Sequence, residues 1–313
     1  MQAGCAWGRH RLTRVMTCIA LVAACAFGSL ASALELDSFA GGLVPGQELV
    51  LLDDMDASLT FEQARRQLML VGQPWVAPGQ PNLGYRRSAL WVRVDLNNRF
   101  DEPRDWVAFT AFTQLSRVDF YFQDPNGEWQ QRAAGAALPF RERDLMHRSI
   151  NFTFTVLPGQ EQSIYFRVET AGSLQFPLSL GSAEYFNAEA QRSLFTAGLY
   201  FGLMLMIAIY SLTVWFSSRE AGFLYFGLLV VFGGFYSLTT LGLAYQYLWP
   251  ESPGWANKAT GTFALMASVA GMAFVRSFLG ISQLDPWLDR VSRVYLAVTA
   301  LAVPGALVVS SGA

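Results

Sequence analysis

LFTAGLYFGLMLMIAIYSLTVWF, residues 194–216, decides the architecture. It carries no charge, and at about 1.5 Å per residue a helix of this length crosses a hydrocarbon core of about 30 Å. Ser217-Ser218-Arg219-Glu220 follows as a turn, and residues 221–241 form a second apolar run. Together they predict a helical hairpin through a membrane. Two more spans are predicted over residues 259–275 and 294–310. Pro304 in the last is tolerated where neighbouring helices satisfy the freed carbonyl. Between Phe195 and Val275 the only charged residues are Arg219, Glu220, Glu251 and Lys258.

Upstream of that stretch the composition changes. Residues 34–192 carry charges throughout and read as short strands with period-2 alternation, bounded by turn residues. Leu90-Trp91-Val92-Arg93-Val94-Asp95-Leu96 is the clearest. Residues 106–112 and 117–122 follow, and Asp124-Pro125-Asn126-Gly127 predicts a hairpin turn because Asn-Gly tolerates positive φ. Residues 151–156, 163–169 and 174–180 complete about eight strands, which at this spacing predict a β-sandwich or jelly roll. One helix is expected over residues 60–67, where Thr60 and Gln63 match a capping box. The whole chain is 52% hydrophobic and 15% charged, too apolar for two soluble domains. Its net charge of −2 supplies no excess of cations, which argues against a nucleic-acid binder held by phosphate neutralisation.

The N-terminus carries Arg9, Arg11 and Arg14 without an acid, then an apolar run over residues 15–27 and Ala31-Ser32-Ala33. This predicts a secretory signal peptide, residues 1–33, because the run is too short to span. Val22-Ala23-Ala24-Cys25 is a competing lipobox-like site that would place a lipid on Cys25. Cys5, Cys18 and Cys25 all lie in this segment, so a chain processed after Ala33 has no disulfide framework. His147 is then its sole histidine, which argues against a multi-histidine zinc site.

The expected domain order is signal peptide, exported sandwich over residues 34–192, and membrane helices over residues 194–313. Export of the sandwich puts Arg219, Arg276, Arg290 and Arg293 on the inner side, as the positive-inside rule prefers. Tyr245, Tyr247, Trp249 and Trp255 then lie in an outer loop, as interface anchors. Gly198 with Gly202, and Ala267 with Gly271, allow close helix approach, either within one bundle or in a homodimer. No unpaired ionisable residue sits in mid-span, which disfavours a transporter or pump.

Candidate ligand-binding residues are Trp91, Arg93, Phe140, Arg141 and Arg143. Arginine forks bind anions and sugars, and aromatic faces stack on them. Arg86, Arg87 and Arg148, with Trp75 and Trp129, are further candidates, and all of these residue types are also ordinary sandwich surface. Asp53, Asp54 and Asp56 fit either a calcium loop or a solvated strand-to-helix connection. The glycine and closing glutamate of an EF-hand are missing, so no metal is expected.

Several stretches resemble the seven-transmembrane receptors with diverse intracellular signalling modules, the 7TM-DISM family. They are Gly198-Leu199-Tyr200-Phe201-Gly202-Leu203-Met204 with Tyr210, then Arg219 and Tyr225, then Gly242-Leu243-Ala244-Tyr245-Gln246-Tyr247-Leu248-Trp249-Pro250, and Phe274-Val275-Arg276-Ser277-Phe278-Leu279. In the sandwich, Leu90-Trp91-Val92-Arg93-Val94 with Asn97, Arg117-Val118-Asp119-Phe120-Tyr121, Pro139-Phe140 with Arg143, and Tyr165-Phe166-Arg167-Val168 resemble its periplasmic sensory domain. The resemblance implies a jelly roll similar to carbohydrate-binding modules, and a bacterial inner-membrane receptor with a cytoplasmic diguanylate cyclase, histidine kinase or similar output.

The family has seven spans where four are predicted here, so the sequence is expected to be a receptor fragment without a catalytic module. It needs no cofactor. Its expected partners are membrane lipid and a periplasmic small molecule such as a carbohydrate. The alternatives are a scaffold, or an anchored glycan-processing enzyme that would have to bring two of Asp95, Asp101, Glu128 and Glu142 into one cleft.

Overall fold

The computed structural model describes residues 34–36, 42–45, 48–76, 80–86, 88–159 and 161–308. The expected signal peptide and its cysteines lie outside these residues, as do Arg87 and the last two residues of the fourth expected span.

Twelve strands are described, in chain order β1 (Leu34–Leu36), β2 (Leu49–Asp54), β3 (Gln73–Pro74), β4 (Asn82–Tyr85), β5 (Ala89–Asn98) and β6 (Arg104–Thr110), then β7 (Arg117–Gln123), β8 (Trp129–Ala134), β9 (Ile150–Val156), β10 (Glu161–Glu169), β11 (Ser173–Gln175) and β12 (Leu178–Ser182). The larger sheet has the order β3-β2-β5-β10-β7-β8, with β1 parallel to the end of β5. The smaller is β12-β6-β9, and β4 pairs with β11. Strands that are neighbours in space are mostly not neighbours in sequence, as in a sandwich built from crossovers.

Period 2 explains the layering. Leu90, Val92, Val94 and Leu96 of β5 enter the core with Phe120, Phe166, Phe152 and Phe154. The opposite face of β5 puts Trp91 in a second cluster with Val50, Tyr165, Ala64 and Leu68. The last two belong to helix α1 (Phe61–Val71), which covers that face. The Thr60 capping box is formed as expected: the Thr60 side chain accepts from Gln63 N, and the Gln63 side chain accepts from Thr60 N. Gly127 sits at φ 84° in the β7–β8 turn, whose Asp124 Oδ1 accepts from Asn126 N and Glu128 N. The strand expected over residues 174–180 is interrupted: β11 ends at Gln175 and β12 begins at Leu178. Pro177 between them has no amide to give a ladder.

Ser182 ends β12 and caps helix α2 (Ala183–Ser218), its hydroxyl accepting from Tyr185 N at 3.1 Å. After it come α3 (Ala221–Thr240), α4 (Leu243–Tyr247), α5 (Pro253–Leu279), α6 (Ile281–Leu284) and α7 (Pro286–Val308). Among the described residues three helices, α2, α3 and α5, are long and apolar enough to cross a membrane. The fourth expected span falls in α7, which is not one of them. Its first turns carry Asp289, Arg290 and Arg293. The described apolar remainder, residues 294–308, reaches only about 23 Å. Asp289 is buried there and accepts from Arg276 of α5 at 2.6 Å.

At 36 residues, α2 is about 54 Å long, more than the hydrocarbon needs. Its surplus lies at the start, where Phe186 packs on Val107 and Phe109 of β6. The sandwich and the first span therefore share one unbroken helix.

Candidate functional site

Two places in the sandwich concentrate buried polar chemistry. The first is the outer face of the larger sheet, where neighbouring strands align charges across their register. Arg93 of β5 donates to Asp95 (Nη2 2.6 Å, Nε 3.1 Å), which also accepts from Ser163 at 2.6 Å. Arg117 grips Asp119 with Nε at 3.0 Å and Nη2 at 2.7 Å. Arg167, opposite Asp119 on β10, lies 3.7 Å from that carboxylate, pairs with Glu169 at 2.6 Å and donates to Ala57 O at 2.9 Å. The side chain of Asp119 is only 3% exposed, and its hydrogen bond holds the Arg117 guanidinium above its ordinary pKa.

Beside this ladder stands an aromatic group: Trp91, Tyr121, Tyr165 and Trp129, with Phe61 of α1 stacked on Tyr121 at 4.3 Å. Burial pushes both tyrosine hydroxyls above their usual pKa. Trp91 is fully buried beneath α1, and its Nε1 donates to Asp54 at 3.4 Å. Asp54 also accepts from the amides of Ser58 and Leu59, and Asp53 pairs with Arg86. Asp54 thus serves the connection into α1, and Asp53 ties the end of β2 to the residue after β4. Among the described residues, no three His, Cys, Asp or Glu side chains gather as a metal site would require.

The second place is the junction with the membrane helices, built from residues 135–149 between β8 and β9. A single 3₁₀ turn, Phe140–Glu142, presents Phe140 edge-on to Tyr245 of α4, with ring centroids 5.6 Å apart at 88°. Phe140 N donates to Pro250 O at 3.2 Å, and the Tyr245 hydroxyl donates to Leu138 O. Arg143 lies between these elements, its guanidinium 4.5 Å from the Phe140 ring centre and 5.6 Å from that of Tyr245. Its Nη1 donates to the carbonyls of His147 (2.9 Å), Ser149 (3.2 Å) and Arg148. Burial lowers its pKa to about 10, and its buried Nε has no partner among the described residues.

The junction closes on the end of α3. A helix leaves its last four carbonyls without intrahelical partners and carries partial negative charge there. Here the sandwich supplies the donors: Thr113 Oγ1 to Thr240 O at 3.0 Å, and Arg148 Nη1 to Leu241 O at 2.7 Å. Arg148 also donates to Ser193 of α2, and Gln246 Nε2 donates to Met146 O at 3.3 Å. Arg141 and Glu251, both exposed, add a looser pair at 3.6 Å. His147 packs edge-on against Phe186 at 5.1 Å, while its Nδ1 accepts from Ser149 N at 3.2 Å. Burial, then Arg148 and Arg143, lower its pKa to about 4.

The five residues singled out from sequence therefore fall into two groups. Phe140, Arg141 and Arg143 meet at the junction, whereas Trp91 and Arg93 lie on the outer face of the larger sheet. Of the glycosidase candidates, Asp95 is held by Arg93 and Ser163. Thr113 and Ser193 were not singled out. The stretch around Gly242 and Tyr245 was conspicuous in sequence, but its aromatic residues read as membrane-interface anchors.

A family model described as 7TMR-DISM extracellular 2 matches residues 46–182, and one described as 7TM diverse intracellular signalling matches residues 193–312. No curated protein matches the chain. A solved structure concerning "the promiscuous specificity of the carbohydrate- binding modules from the beta-sandwich super family" is similar at 10% identity and a TM-score of 0.20. That match covers 46% of this chain and 56% of the solved one, little more than half its length.

Proposed function

Because the chain belongs to the 7TMR-DISM family, with the extracellular domain ahead of the transmembrane part, we propose that this membrane receptor couples ligand capture in its sandwich to its helices through the Arg143–Arg148 junction. The observation that carries this reading is the capping of α3 by side chains of the sensory domain, Thr113 and Arg148. A displacement of residues 135–149 would have to break the Arg148 bond or move α3. The ligand is a small carbohydrate-like molecule, and the output is a cytoplasmic module such as a diguanylate cyclase or histidine kinase. The chain acts as a receptor and not as an enzyme, in a bacterial inner membrane, after removal of residues 1–33. A ligand can shift such a device only by its difference in affinity between two arrangements.

The test uses the full chain in lipid nanodiscs, with a panel of mono- and oligosaccharides. A binding sugar raises the melting temperature and changes amide exchange in both residues 135–149 and 241–251. In Arg148→Ala the sugar still raises the melting temperature, but residues 241–251 no longer respond. Coupling that survives intact in Arg148→Ala removes the junction as the route. A panel without any binding sugar removes the carbohydrate reading and leaves the junction to be tested with another ligand.

A further inference from the structure

Met146 is 62% exposed, although the residues on either side of it are tied down. Leu145 packs against Val107, Phe109 and Phe186. Three bonds set the height of the segment relative to the membrane. The Met146 carbonyl accepts from Gln246 of α4, and Arg148 reaches Leu241 at the end of α3 and Ser193. Ser193 immediately precedes the apolar run that begins at Leu194, so all three partners lie where the chain enters or leaves its apolar spans. Tyr247 and Leu248 of the outer connection are also exposed, at 61% and 53%, and so are Leu194 and Phe195 at the start of the span. Arg141, largely exposed and loosely paired with Glu251 at 3.6 Å, stands in the same segment beside the exposed Glu142.

Exposed apolar side chains with aromatic and cationic neighbours at this height have the composition of a membrane interface, where apolar groups enter the acyl boundary and cations remain among headgroups. Methionine, unbranched and flexible, accommodates to disordered acyl chains. We propose that residues 141–148 of the sensory domain form a lipid-contacting surface, with Met146 inserted into the outer leaflet beside Tyr247 and Leu248. The sensory domain is then seated on the bilayer as well as tethered to it, and the phospholipid surface is a partner of the loop that grips α3. The inference is independent of which ligand the sandwich takes.

The experiment is site-directed fluorescence on the full chain in phosphatidylcholine nanodiscs. Cys5, Cys18 and Cys25 are replaced by serine, and single cysteines carry an environment-sensitive dye. Met146→Cys is the test, and Tyr247→Cys is its counterpart on the outer connection. Asn126→Cys is the aqueous control, in the exposed β7–β8 turn at the opposite end of those strands from the junction. The proposal expects blue-shifted emission at position 146, severalfold stronger quenching by nitroxide-labelled lipid than at position 126, and correspondingly weaker quenching by iodide. Emission and quenching at 146 equal to those at 126 would place the segment in water and overturn it. Protection of 146 from both quenchers would show that another protein surface, such as a second copy, covers it, and would overturn it equally.

Discussion

The outer face of the larger sheet and the junction both hold arginines wholly or partly out of water, but they compensate them differently. On the sheet, Asp119 stands between Arg117 and Arg167, Arg167 also holds Glu169, and Arg93 holds Asp95. At the junction, among the described residues, Arg143 and Arg148 meet carbonyls, a hydroxyl and aromatic rings, with no carboxylate in ion-pair range. Separating a buried pair strands a charge on each side, whereas a guanidinium withdrawn from carbonyls can exchange them for water at the rim. The sheet face is therefore built to stay as it is, and the junction is the cheaper of the two to open.

The largest effect that would break this comparison is on the sheet. Asp119→Ala leaves Arg167, whose side chain is 16% exposed, and Arg117 facing an empty position. The expected loss is about 2 kcal/mol, below the scale for a fully buried pair because the Arg117 side chain is 42% exposed and Arg167 keeps Glu169. Denaturant unfolding of the full chain in detergent measures it, and amide exchange in residues 241–251 stays unchanged. A loss below about 1 kcal/mol would mean that the ladder is screened like a surface pair, and the contrast with the junction would disappear.

A smaller effect sharpens the other side. Gly242 links α3 to α4 at φ 73°, and a Cβ there would lie 2.9 Å from Thr113 Cγ2. Gly242→Ala meets two penalties, the left-handed backbone and the crowding of Thr113, together about 1–2 kcal/mol. The double variant with Thr113→Ser removes Cγ2 but keeps Cβ at 3.0 Å and the hydroxyl that donates to Thr240 O, so it recovers only the Cγ2 part of the steric share and none of the backbone share. Amide exchange in residues 241–251 of the single and double variants reads the difference. Equal exchange in the two would show that the sandwich does not press on the end of α3.

Much of the fold was legible in local signals. The apolar run over residues 194–216, the alternation from Leu90 to Leu96 and the Thr60–Gln63 capping box are each read from a few neighbouring residues, and each has a counterpart in the structure. Pro177 was equally visible, yet the stretch around it read as one strand because the flanking apolar residues outweighed a single missing donor. The fate of Trp91 was not legible: period 2 puts it on the outer face, and only the return of α1 over that face buries it. The junction was less legible still. Arg148 is 45 residues from Ser193 and 93 from Leu241 in sequence, and no local pattern marks an arginine whose partners are carbonyls of a distant helix end. The motif at Gly242 was conspicuous, but aromatic residues at a membrane boundary serve equally as lipid anchors and as packing for a docked domain.

The last predicted effect is electrostatic and separates the two regions by pH. His147 lies between Arg143 and Arg148, and its pKa of about 4 is below the ordinary 6.5 because burial and the two guanidinium charges disfavour the imidazolium. The native site therefore binds fewer protons than the unfolded chain between those values. The stabilisation from a neutral His147 is fully present above about pH 6.5 and is lost as pH falls towards about 4. The structural consequence is local: a protonated Nδ1 cannot accept from Ser149 N, and Ser149 O is one of the carbonyls that hold Arg143. Carboxylates also titrate at the acid end, so the measurement is the difference between the parent and His147→Asn, whose amide oxygen offers an acceptor without titrating. The parent loses melting temperature more steeply than the variant between pH 6.5 and 4, with the extra loss confined by amide exchange to residues 135–149 and 241–251. Parallel curves would show that the imidazole takes up its proton without disturbing the junction, and that two uncompensated arginines tolerate a third cation as readily as the paired charges of the sheet would.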